Sequence, residues 1–192
     1  WTIRRSIFVR NLGFSGNTSG SGSHGGAMYL VGGPHYLENC LIISNHLPGS
    51  ASPRHYGDGL YINGTVAITN STIADNGAAN PVGGIGVRVA GGSVAIANSI
   101  LWGNTDDLSG IATLRYTCVE DGDNDGVDGC VSLNPLFVDR VYYHLSSRMG
   151  HLTGGYFTGS VWEVSAEASP LIDKGDPTSP FARELQPNGN RV

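Results

Sequence analysis

The sequence predicts an all-β chain wound as a parallel β-helix, and three observations carry that prediction. Glycine is abundant and charge is scarce, with 29 glycines in 192 residues and 14 % charged residues, against an ordinary ~7 % and ~25 %. Short apolar runs rich in β-branched residues are punctuated by Gly, Asn and Ser, with no 3.6-residue period to suggest helices. Above all, the chain repeats itself. It shows no G-X-Y period, which excludes collagen. Its 40 % hydrophobic content is spread evenly, which excludes disorder, and its length suits one domain with a substantial core.

Four rows align without a gap: "WTIRRSIFVRN" (1–11), "HYLENCLIISN" (35–45), "VAITNSTIADN" (66–76) and "VAIANSILWGN" (94–104). Each ends in Asn: Asn11, Asn45, Asn76 and Asn104. One apolar column holds Ile3, Leu37, Ile68 and Ile96, and a second holds Phe8, Ile42, Ile73 and Leu101. Between the columns stands a turn position, Arg5, Asn39, Asn70 and Asn98, followed by a small residue, Ser6, Cys40, Ser71 and Ser99. A fifth, degenerate row runs through "LRYTCVEDG", with Leu114 and Val119 in the apolar columns, Tyr116 at the turn and Gly122 in place of the terminal Asn.

A second template precedes rows two to four in the order of the chain: "GGAMYL" (25–30), "GDGLYI" (57–62) and "GIGVRV" (84–89). Met28, Leu60 and Val87 share its core column. Tyr29, Tyr61 and Arg88 follow in the next position, which faces outward if the core column faces in. Single Asn or Gly residues between short β segments mark bends through left-handed backbone angles. Bends at a regular interval let each strand pair in parallel with its equivalent one coil on. Aliphatic columns then become core ladders, and Asn side chains can hydrogen-bond along the stack.

Charge and cysteine exclude several functions. The net charge is −5, divided unevenly: residues 1–105 carry five Arg against three acids, and residues 106–192 carry six bases against thirteen acids. No basic stripe invites nucleic acid. No apolar run is long enough to span a membrane, and no signal peptide is visible. The glycine-rich stretch 15–26 lacks the Lys of a phosphate loop. His24, His46 and His55 match no metal spacing.

The rows and their glycine templates are similar to right-handed parallel β-helix repeats of the pectate-lyase-like superfamily. They most resemble those of bacterial surface or secreted proteins with polymorphic-outer-membrane-type repeats. The C-terminal "NPLFVD", "YYHLSS" and "SPLIDKGDPTSPFARELQPNGNRV" resemble the closing segment of such proteins, with Asn134 where Asp is usual. The resemblance implies four to five coils over residues 1–122 and an irregular β-rich segment over 123–192 that packs on or caps the helix. The expectation is one structural domain, cut from a longer protein. "HLTGGYFTGSVWEV" (151–164) reads as a β-hairpin. The expected location is extracellular or at the cell surface, and the expected state is a monomer or an end-to-end self-associating chain.

The resemblance leaves function open, because folds host many functions. As an enzyme, the chain is a polysaccharide lyase or glycoside hydrolase, which needs paired carboxylates or a base with a uronate-neutralising partner. The weak catalytic candidates are Asp58 and Asp75, which nothing in the sequence brings together. As a glycan binder, the candidates are Tyr29, Tyr61, Arg88 and Asp58, where aromatic rings flanked by polar groups suit a sugar. The bland alternative is an aromatic ladder on the sheet surface. Asp121, Asp123 and Asp125, in "CVEDGDNDGVDGC", are candidate ligands for a structural calcium, although Ser132 stands where an EF-hand needs Glu. Cys118 and Cys130 are candidates for a disulfide. The favoured expectation is a non-catalytic scaffold with possible glycan binding.

Overall fold

The computed structural model describes residues 1–13, 24–47, 57–77, 84–156 and 161–180. His55, much of the loops at 12–24 and 46–56, and the final P-N-G-x-R motif lie outside them.

The described residues form thirteen strands and no helix: β1 (Thr2–Arg4), β2 (Ile7–Val9), β3 (Met28–Glu38), β4 (Leu41–Ile43), β5 (Leu60–Thr69), β6 (Thr72–Ala74), β7 (Ile85–Ala97), β8 (Ile100–Trp102), β9 (Asp106–Ser109), β10 (Thr113–Arg115), β11 (Cys118–Val119), β12 (His151–Thr153) and β13 (Val161–Glu163). One parallel sheet runs β1-β3-β5-β7-β10, with β9 also on β7, and a second runs β2-β4-β6-β8-β11. Their registers reproduce the columns read from the repeats. Ile3, Leu37, Ile68, Ile96 and Leu114 are successive partners, as are Phe8, Ile42, Ile73, Leu101 and Val119. Both columns meet in one core cluster between the sheets. Stacked parallel sheets around a shared core are consistent with a parallel β-solenoid.

Two bends turn each row, and the backbone angles show where. The expected turn position is left-handed throughout: Arg5, Asn39, Asn70, Asn98 and Tyr116 have φ between 47° and 55°. The second bend falls one residue before the terminal Asn, at Arg10, Ser44, Asp75 and Gly103. The terminal Asn serves a different purpose, described below.

The glycine templates continue into the rows that follow them, giving the long strands β3, β5 and β7. Where they join, Gly32, Gly64 and Gly92 are register partners. A Cβ on Gly64 would lie 2.0 Å from the carbonyl oxygen of Gly32, and one on Gly92 2.1 Å from that of Gly64, so neither position tolerates a side chain. Strand β9 is a further template-like segment that sequence reasoning missed, with Leu108 in the column of Val87. Its acidic "DDLS" hides the relation.

Parts of residues 134–156 and 161–180 pack against the second sheet and the turn beside it. Leu41, Ile43 and Ala74 point out of that sheet into a small cluster with the buried Tyr143, joined by Phe137 and Tyr156. The expected hairpin is present, β12 pairing antiparallel with β13. Asn98, a turn residue of the fourth row, accepts a hydrogen bond from the Asp176 amide (2.8 Å) and donates one to the Ser179 hydroxyl (2.9 Å). The D-P-T-S stretch of the closing motif is thereby tied to the stack.

Candidate functional site

The outward column of the glycine templates exists as the spacing implied. Tyr29, Tyr61 and Arg88 are register partners, and Ser109 extends the column. The Tyr29 and Tyr61 rings stack with centroids 5.1 Å apart and planes 29° from parallel. His24 packs edge-on against Tyr61 at 4.5 Å and lies 5.9 Å from Tyr29. The Arg88 guanidinium donates to the Ser109 hydroxyl at 2.6 Å. His24 was not among the expected site residues, because its place beside a loop gave no hint that it would reach the tyrosines. Stacking covers one face of each tyrosine with the other, so the column offers ring edges and hydroxyls more than open faces. Tyr36 and Val31 stand exposed on the same strand.

Asp58 does not join this surface. Its side chain is 1 % exposed, and its two oxygens accept backbone N–H groups from Leu47 (2.9 Å) and Ile85 (3.2 Å). Those donors stand at the start of one inter-row loop and the end of another, so Asp58 ties neighbouring rows together. Asp75 is equally committed: it pairs with Arg140 and accepts the Tyr143 hydroxyl. Burial first, and then Asp75 itself, push the Tyr143 hydroxyl well above the usual tyrosine range. The two aspartates share no partner, and their oxygens serve the fold.

The terminal asparagines form a ladder. The side-chain oxygen of Asn45 accepts both the amide and the side-chain NH₂ of Asn11, Asn76 does the same for Asn45, and Asn104 for Asn76. Each NH₂ of Asn45, Asn76 and Asn104 also donates to a carbonyl of an earlier row, at Phe8, Ile42 and Ile73. The ladder ends on Asp107, which accepts Asn104 at 2.8 Å with one oxygen and the Glu120 amide at 2.7 Å with the other. Asp107 is 1 % exposed. Burial pushes its carboxyl up to about 6, with Asp121 and Glu120 adding to the rise against the hydrogen bonds from Asn104 and Glu120.

The acidic stretch is an end-piece to this stack. Tyr116 donates its amide to the Asp128 carbonyl, Val119 to Val131, and Val131 to Thr117. Cys130 is buried in the main core beside the fifth row. Among the described residues, no three His, Cys, Asp or Glu side chains converge to hold a metal ion. Of the three candidate calcium ligands, Asp121 accepts the Asp107 amide and Asp125 accepts the Ser132 amide, each through one oxygen. The Cys118–Cys130 disulfide is not formed, and all three cysteines are free and buried. Cys118 is bridged to Val131, so Cys130, one residue away, faces the opposite side of the strand. Burial pushes the Cys118 thiol up to about 11, the state of an inert packing thiol.

The chain matches no protein-family profile, no curated protein and no solved structure. No helix of the described residues is long and apolar enough to cross a membrane.

Proposed function

We propose that this chain is a right-handed parallel β-helix module of four to five coils, akin to the pectate-lyase-like superfamily. Its role is a non-catalytic scaffold, secreted or at a bacterial cell surface, with glycan contact along the Tyr29–Tyr61–Arg88 column. One observation carries the reading: Asp58 and Asp75, the two catalytic candidates of the sequence, are each bound by two groups of the protein itself. A catalytic acid or base must reach a proton on the substrate, and neither carboxylate is so disposed. The aromatic column supports binding by presenting two tyrosine hydroxyl edges, a histidine and a guanidinium on one outer face. Aromatic and hydrogen-bonding groups together are the ordinary means of holding a sugar.

A pull-down on immobilised polysaccharides tests the binding. Retention on at least one glycan is expected, reduced tenfold or more by Tyr29→Ala with Tyr61→Ala, while far-ultraviolet circular dichroism stays unchanged. Retention unaffected by the double substitution would remove the column from the site. No retention on any glycan would leave the scaffold alone.

A further inference from the structure

The C-terminal segment does not lie flush on the second sheet. Beneath residues 171–175 remains a half-open cavity of about 150 Å³, walled mainly by Ile100, Val131, Leu145 and Leu171. Its roof is pinned on both sides. Before it, the Ser169 amide donates to the Ser146 carbonyl, and after it, the Asp176 amide donates to Asn98. Pinning at both ends holds the roof off the floor and leaves a mostly apolar hollow that opens to solvent on one side. Apolar walls give water few partners, whereas a cavity of this volume accepts a six-carbon ring.

Lys174 supplies the polar end. It is the sole lysine of the chain and the only charged residue lining the cavity. Among the described residues its ammonium makes no hydrogen bond or ion pair. An apolar chamber with one ammonium at its edge is complementary to a compact hydrophobic group carrying a carboxylate. We propose that this cavity binds a small aromatic carboxylate, with the ring on Ile100, Val131, Leu145 and Leu171 and the carboxylate on Lys174. The site is separate from the tyrosine column and stands whether or not that column binds glycan.

Methyl-labelled NMR with benzoate, benzyl alcohol and benzylamine as probes tests it. The expected result is saturable shifts of the Ile100, Val131, Leu145 and Leu171 methyls with benzoate. Benzyl alcohol binds several-fold more weakly and benzylamine more weakly still. Lys174→Gln weakens benzoate several-fold and leaves benzyl alcohol unchanged. Leu171→Trp, filling the chamber, abolishes binding of every probe; Leu171→Phe serves the same test with a smaller volume change if the tryptophan variant fails to fold. No saturable shift with any probe at tens of millimolar overturns the proposal. So does benzylamine binding as well as benzoate, or benzoate binding indifferent to Lys174→Gln.

Discussion

Asp107 shows how a single residue can carry both the register of the stack and its response to pH. The carboxyl is held at about 6 against an ordinary 3.8, mainly by burial. A carboxyl whose folded value lies above its unfolded one binds its proton more tightly in the folded state. Stability from this group therefore rises as pH falls from about 6 towards 4, and is lost as pH rises through 6. At ~1.4 kcal/mol per unit the full effect is on the order of 3 kcal/mol. Other carboxylates titrate in the same range, so the quantity to measure is the difference between wild type and Asp107→Asn. Thermal melts at pH 4.5 and 7 are expected to show wild type gaining stability relative to the variant on acidification. A difference that does not change with pH contradicts the assignment. No sequence pattern marked Asp107, because burial of one member of an Asp-Asp pair depends on which strand covers it.

At the scale of elements, the asparagine ladder accounts for the gap-free alignment of the rows. A buried amide that accepts two donors and gives two leaves several partners stranded when removed. Asn76→Ala strips the acceptor from the Asn45 amide and NH₂ and the donor from the Ile42 carbonyl. Unsatisfied buried groups cost about 1–3 kcal/mol each, so Asn76→Ala is expected to lower the stability by about 2–4 kcal/mol in denaturant titration. Asn11→Ala, on an exposed residue, should cost markedly less. Equal costs for the two contradict the ladder. The ladder and both core columns were legible in the sequence because each has one residue type at one spacing. The second bend was misplaced by one residue because Arg10, Ser44, Asp75 and Gly103 share no chemistry, only a left-handed φ. The Gly32–Gly64–Gly92 column escaped notice because all three glycines fall between the aligned templates and rows.

Across the whole molecule, the C-terminal segment is bound to the side of the stack through a few defined contacts. Tyr143 is the principal one, packing on Leu41, Ile43 and Ala74 and reaching Asp75 beside Arg140. Removing a buried aromatic costs about 3–5 kcal/mol. Tyr143→Ala should therefore speed amide exchange in residues 134–156 while β4, β6 and β8 keep their protection. Equal loss of protection in those strands would mean that the stack depends on the segment. Sequence reasoning anticipated such a segment but could not place it, because irregular chain carries no period. It also read Asp58 as a surface group, although its outward-seeming position lies between two loop ends that only the fold brings together. The most direct measurement of the central claim is product release: the protein incubated with a broad polysaccharide panel, followed by assay of reducing ends and unsaturated uronates. The account predicts no product from any polymer, with Asp58→Asn altering only the melting temperature. Product released by wild type and lost in Asp58→Asn would contradict it.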